Sequence, residues 1–218
     1  MSSELPLVTA IMPTRGRRGW AADAVRMFKE QTYAHKELVI VDDQMEPSFA
    51  SGVPDSGIIY VKALRITVGG KRNLACSRAS GQIIVHWDSD DVYRMDRIAH
   101  QVTMLLENDV DMVGYNELDF EDVDTGKQYV YVSSSQLYAA GVSLCYWRDT
   151  WEQRPFDSVD VGEDNEFQKD RRILCCPADG RITARIHHGN TAEKRSQIPN
   201  NSHCWVLKET YGHATRVA

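Results

Sequence analysis

The stretch that decides the fold is QIIVHW, residues 82–87, followed at once by Asp88-Ser89-Asp90-Asp91. A continuous apolar run of this length is the mark of a strand covered on both faces, as in a parallel sheet. Three carboxylates within four residues at its carboxyl end repel one another unless a cation or strong donors offset them. Hard oxygen ligands in that position suit Mg²⁺ or Mn²⁺, which can also bridge to a pyrophosphate. Read alone, the same acids could instead cap the next helix.

Working outward, the same unit repeats. Residues 5–12 form a β-rich apolar run that Pro13 is expected to stop. TRGRRG follows as a loop, and Trp20, Ala24, Met27 and Phe28 recur at helical spacing, predicting a helix over 19–32 whose apolar face packs on the sheet. ELVIV, residues 37–41, is a second buried strand ending in Asp42 and Asp43. Residues 58–62 read as a third. Gly69 and Gly70 then open a helix carrying Leu74, Ala75 and Ala79, with Gly81 as its expected C-cap. After the acidic cluster, Met95, Ile98, Val102, Leu105 and Leu106 share a helical stripe, and residues 111–115 return as a strand. Such alternation implies an α/β fold, Rossmann-like, with a doubly wound, mostly parallel sheet flanked by helices and a ligand crevice beyond the strands' carboxyl ends.

The second half changes character. Residues 117–122 and 128–133 flank Asp124-Thr125-Gly126 as a hairpin, 141–147 read as a strand, 162–172 as helical and 182–188 as a strand; the tail from residue 192 is polar and weakly patterned. We expect a single domain over 1–218, with 5–115 as a binding half, 116–190 as a catalytic half and 191–218 as a tail. The sheet is accordingly expected to be mixed, with antiparallel strands in the second half.

Composition narrows the partners. A formal charge of -6 disfavours broad binding to a phosphate backbone, although Arg15, Arg17 and Arg18, and the pair Lys71 and Arg72, could line a local basic groove. Nothing approaches the roughly 18 consecutive apolar residues of a membrane span, and the N-terminus lacks a basic region before its apolar run, so a soluble, cytoplasmic chain is expected. The five cysteines have no CxxC spacing, which argues against a zinc knuckle or a disulfide framework.

Five short motifs stand in one order: Pro13-Thr14-Arg15, Asp42-Asp43, Gly69-Gly70-Lys71-Arg72-Asn73 with the DSDD cluster, Gly162-Glu163-Asp164-Asn165-Glu166-Phe167, and His187-His188-Gly189-Asn190. In these the chain resembles family 2 glycosyltransferases from about residue 7 to residue 190. The resemblance implies a GT-A nucleotide-diphospho-sugar fold, a DxD metal motif holding Mn²⁺ or Mg²⁺, and inverting transfer of a sugar, from UDP by default with GDP and dTDP as alternatives, to an acceptor hydroxyl.

Carried over by position, Pro13, Thr14 and Arg15 border the base and ribose, and Asp43 with Asp42 reads the base edge. Lys71 and Arg72 contact base or phosphates, and Asp88 with Ser89 lies near the ribose or donor sugar. Asp90 holds the metal, with Asp91 assisting or capping a helix. A later histidine completes the metal site. Strand alternation points His187 and His188 to opposite faces, and the pattern favours His188, beside Gly-Asn. Asp164 is the general base, with Glu163 orienting a backbone or acceptor group. No recognisable Ser or Cys nucleophile is needed. The acceptor is expected to be a saccharide, another hydroxyl compound or a hydroxymethylated base in DNA, for which Arg15, Arg17, Arg18 and Trp20 would form the rim.

Overall fold

A computed structural model describes residues 5–44, 56–192, 198 and 204–208. Along the chain the elements are β1 (Val8–Thr14), α1 (Arg18–Lys29), β2 (Lys36–Asp42), β3 (Ile58–Lys62), α2 (Val68–Cys76), β4 (Ile83–His86), β5 (Val92–Tyr93) and α3 (Arg97–Glu107). There follow β6 (Met112–Asp122), β7 (Gln128–Val132), a 3-10 turn (Gly141–Ser143), β8 (Cys145–Trp147), α4 (Arg148–Gln153), α5 (Glu163–Gln168), β9 (Ile173–Pro177), β10 (Ile182–Ile186) and β11 (Trp205–Leu207).

The strands described join in one mixed sheet whose main path runs β11-β7-β6-β8-β4-β1-β2-β3. β1 pairs in parallel with β2 on one side and β4 on the other, and β2 pairs in parallel with β3. The chain therefore winds outward from β1 through β2 to β3, then returns to start again at β4. That reversal between β1 and β4 opens a crevice at the strands' carboxyl ends. The motifs beginning at Thr14, Asp42 and Asp88 all leave the sheet there. Beyond β4 the sheet turns mixed, with β8 antiparallel to both β4 and β6.

Every residue of β1 and β4 is buried, and so are residues 38–42 of β2. Each fully buried Ile, Leu or Val in these strands contributes about 1.5–3 kcal/mol. Pro13 does not end β1. Its pairing with β4 stops at Ile11 while that with β2 continues through Thr14, so the proline sits where the ladder is open on one side.

α1 buries Ala21, Ala24, Val25, Met27 and Phe28. Trp20 is not part of that face; its ring lies 4.3 Å from the His187 ring. α2 ends at Cys76, so Gly81 is no helix cap. A Cβ there would sit 2.7 Å from the Leu7 carbonyl and the Thr9 amide, and glycine is needed for close approach to β1. α3 buries Ile98, Val102 and Leu105 but leaves Met95, upstream of it, and Leu106 exposed. Only part of 141–147 is strand, and the polar tail contains β11, which pairs with β7. Among the described residues no helix is long and apolar enough to cross a membrane.

The sharpest steric requirement joins the two halves. At Gly69, in the first turn of α2, a Cβ would lie 1.8 Å from the Asp157 carbonyl oxygen and 3.3 Å from the Glu163 Cβ. Backbone cannot yield as a flexible side chain can. Gly69→Ala should therefore lose about 1–3 kcal/mol of stability by overpacking, read as a lower urea midpoint at unchanged slope. An unchanged midpoint would mean that α2 and the 157–163 segment are not packed this closely.

Candidate active site

A cavity of about 560 Å³ occupies the crevice, within the size range of small-molecule sites. Pro13, Thr14 and Arg15 line it from the end of β1, Asp43 from β2, and Lys71 and Arg72 from α2. Asp88, Asp90 and Asp91 enter after β4, and Glu163 and Asp164 from the first turn of α5. Three expected residues do not line it: His188, Asp42 and Ser89. Asp42 is buried beside the sheet, accepting from the Tyr60 hydroxyl at 2.7 Å and the Gln44 amide at 3.0 Å. Ser89 is fully buried in the turn after β4, while Asp88 and Asp90 on either side of it line the cavity.

The acids inside are matched by cations of the chain. Lys71 Nζ donates to Asp43 Oδ1 at 3.0 Å, and the Asp43 Oδ2 approaches the Ile66 amide at 3.4 Å. Arg72 bridges the halves: its Nη2 reaches Asp88 Oδ1 at 3.4 Å and its Nε reaches Glu163 Oε1 at 3.3 Å. Burial disfavours the Arg72 charge, but Asp88, Glu163 and Asp164 outweigh it and the net pKa shift is upward. Its Nη1 has no hydrogen-bond partner among the described residues, and neither has the Thr14 hydroxyl. Burial also raises the Glu163 carboxyl, against the pull of Arg72. Glu163, expected to orient a backbone or acceptor group, pairs with Arg72.

Around Asp90 three donors converge on one oxygen. Oδ2 takes His187 Nε2 at 2.8 Å, Arg17 Nη1 at 3.0 Å and Asn190 Nδ2 at 3.4 Å. Burial opposes its ionisation, but the His187 bond and Arg17 together hold the pKa below its usual value. The histidine here is His187; His188 is exposed. β10 ends at Ile186, so strand alternation no longer governs the pair. A turn does: the His187 amide donates to Asn190 Oδ1 at 2.7 Å, and the Gly189 amide donates to His187 Nδ1 at 3.0 Å. Accepting at Nδ1 leaves the imidazole proton on Nε2, aimed at Asp90.

Asp91 caps no helix, because α3 begins six residues later. Its Oδ1 accepts from the Arg185 amide at 3.0 Å, tying the motif to β10. Burial, then Asp90 and Asp88, raises its pKa well above the usual range. Asp90 offers an oxygen to a divalent cation, whereas His187 would offer a nitrogen only with its Nε2 proton released and its bond to Asp90 broken. Among the described residues no three His, Cys, Asp or Glu side chains form a cage. A cation here would have to draw most of its shell from substrate phosphates and water.

Across the cavity Asp164 sits in a close-fitting niche. A Cβ on Gly141 would lie 2.1 Å from Asp164 Oδ2. The buried His86 of β4 fixes that glycine, its Nδ1 lying 2.7 Å from the Gly141 carbonyl oxygen. Burial, then Arg72, lowers the His86 pKa well below normal and keeps the ring neutral. The Tyr138 hydroxyl donates to Asn165 Oδ1 at 2.6 Å and lies 3.4 Å from Asp164 Oδ2. Burial and then Asp164 raise the Tyr138 pKa, so it remains a phenol. His86, Tyr138 and Gly141 were not read as parts of an active centre, although a histidine inside the apolar run QIIVHW was a visible signal; Arg17 was read only as part of a basic groove or rim. Of the residues expected at a basic and aromatic rim, Arg17 pairs with Asp90 and Trp20 packs on His187.

Gly141→Ala must push the Asp164 carboxylate aside. Turnover should fall about 10²-fold, as for misplacement of a catalytic group by about 1 Å, while circular dichroism and donor affinity stay near wild type. Wild-type turnover in this variant would show that the niche does not set the carboxylate's position.

Comparison with known proteins bears on the family and the fold. The model of "Glycosyl transferase family 2" matches residues 9–158. The Escherichia coli protein WfgD, named as a UDP-Glc:alpha-D-GlcNAc-diphosphoundecaprenol beta-1,3-glucosyltransferase, is 29% identical over 126 residues, covering 56% of this chain and 50% of WfgD. The mannosyltransferase PcManGT from Pyrobaculum calidifontis, solved with GDP-Man and Mn²⁺, superposes with a TM-score of 0.68 at 19% identity, over 86% of this chain and 59% of that one. S. aureus TarS 1–349 with UDP-GlcNAc gives 0.67 at 13% identity, over 85% and 60%. The chain thus spans half the length of WfgD and about 60% of the two structures, and the shared fold is GT-A. By its match over more than half its length, the chain belongs to glycosyl transferase family 2.

Proposed function

We propose that the chain transfers a sugar from a nucleoside-diphosphate sugar to an acceptor hydroxyl with inversion, and that Asp164 is the general base. The observation that carries this reading is the arrangement of one cavity. Asp43, Asp88 and Asp90 line it at the strand ends, Lys71 lines it from α2, and a half-buried, positioned carboxylate, Asp164, lines it from α5.

In this reading Asp43 accepts from a base that carries an N–H edge, such as uracil N3–H. UDP is the first choice, in line with the donors named for WfgD and TarS, and GDP is the alternative offered by PcManGT. Arg72 Nη1 and the Thr14 hydroxyl, buried at the cavity wall without a partner among the described residues, would donate to a diphosphate once turned toward it, the guanidinium in charge-assisted bonds. Asp90, with His187 beside it, would hold Mn²⁺ or Mg²⁺; the cation would neutralise charge developing on the leaving diphosphate. The acceptor oxygen forms its bond to C1 as the bond from C1 to the diphosphate oxygen breaks, and its proton passes to Asp164. A single displacement inverts C1. Tyr138 and Gly141 hold the carboxylate in place, so little is lost to reorientation.

Calorimetry with UDP, GDP, dTDP and their common sugar conjugates, each with and without Mn²⁺, tests the donor site. One nucleotide series should bind with Mn²⁺ and weaken in Asp90→Asn. Binding of none of them would sink the reading. For the base, Asp164→Asn should bind the donor within about threefold of wild type yet slow transfer or donor hydrolysis by about 10²- to 10⁴-fold. Unchanged turnover in that variant would remove Asp164 from the role.

A further inference from the structure

The loop after β1 makes a contact that the donor reading does not use. Arg17 follows Gly16, whose φ is +66°, and its guanidinium turns inward with its side chain 19% exposed. Nη1 pairs with Asp90 Oδ2 at 3.0 Å and Nη2 donates to the Gly189 carbonyl at 2.6 Å. One turn further on, Trp20 packs on His187 at 4.3 Å between ring centroids. A single loop thereby clasps both Asp90 and the turn that carries His187. In charge terms the guanidinium stands on the carboxylate that a divalent cation would use, and two cations cannot share that oxygen cheaply.

We propose that Arg17 is an internal cation competing with the metal for Asp90, and that it exchanges Asp90 for the donor's diphosphate when donor and metal enter together. The proposal rests on the donor reading above. The exchange is chemically even: Arg17 gives up a carboxylate and gains phosphate oxygens, both bound by its planar fork, while Asp90 gives up a guanidinium and gains a metal ion. Arg17 lines the same cavity as Lys71 and Arg72, so the movement asked of it is a side-chain rotation within the pocket. The consequence is order. Metal alone meets a competitor already in place, whereas metal with a diphosphate offers that competitor a new partner. The chain should therefore bind Mn²⁺ weakly by itself and much more tightly with nucleotide present.

The test is a titration of Mn²⁺, followed by the electron paramagnetic resonance of the free ion, on wild type, Arg17→Gln and Arg18→Gln. Arg18 is exposed and supplies the control, since its loss changes net charge equally without touching Asp90. Without nucleotide, Arg17→Gln should bind Mn²⁺ about tenfold more tightly than wild type, and Arg18→Gln should not. With saturating Mn²⁺, UDP, or whichever diphosphate the calorimetric screen selects, should bind Arg17→Gln several-fold more weakly. Equal or weaker Mn²⁺ binding by Arg17→Gln, or equal tightening by Arg18→Gln, overturns the proposal. Nucleotide binding to wild type with no Mn²⁺ bound by any of the three chains overturns it too, while leaving the donor site standing. Loss of nucleotide binding in wild type as well is the separate failure of the donor reading.

Discussion

A buried arginine is the constraint on which the site depends. Arg72 is 4% exposed, and a charge so placed is tolerated only when paired and hydrogen-bonded. Its partners, Asp88 and Glu163, come from segments 75 residues apart in sequence, one at the end of β4 and the other at the start of α5. Satisfying one guanidinium thus fixes the distance between the acidic strand end and the helix that carries Asp164. Removing one partner of a buried pair typically costs about 3–5 kcal/mol, because the other charge remains buried and unpaired. The same interaction therefore serves stability and alignment, and the two cannot be varied independently.

Around that bridge, close backbone approach does the remaining positioning. Gly69 lets α2 meet the 157–163 segment, and Gly141 leaves room for the Asp164 carboxylate. His86 then reaches from the middle of the sheet to hold the Gly141 carbonyl. A neutral histidine in the core thus helps to shape the niche of Asp164 without facing the cavity. On the other wall, Asp90 is held by donors from the loop after β1 and the turn after β10, so three separated stretches of chain meet at one oxygen. Both walls follow one rule: a carboxylate is set in position by groups that are themselves fixed by the sheet.

Much of this was legible in the sequence, for physical reasons. Continuous apolar runs such as ELVIV and QIIVHW read as strands buried on both faces, and their acidic ends located the crevice before any coordinates. The residues that went astray did so where side-chain direction depends on a neighbour distant in sequence. Asp42 and Asp43 are adjacent, yet only the second reaches the cavity, and Ser89 turns away between two acids that do not. His188 was favoured over His187 because it stands beside Gly-Asn as in the family pattern; in the turn that follows β10, Asn190 holds the His187 backbone and aims its ring instead. Gly81 looked like a helix cap, although its reason for being glycine is the backbone of β1 across the sheet. Trp20 had the spacing of a core residue and instead packs on a histidine 167 residues later. β11 lay in a tail with no pattern because so short a strand shows no periodicity; pairing with β7 creates it.

The central claim is that the acidic strand ends and the first turn of α5 form one donor-binding site. Amide hydrogen exchange, with and without the best-binding nucleotide-sugar and Mn²⁺, addresses it directly, because protection is read segment by segment. The account predicts slowed exchange in the segments around Thr14, Lys71 and Asp90 and, in the same titration, around Glu163 and Asp164. Protection confined to the first three, with the α5 segment unchanged at saturation, would contradict it.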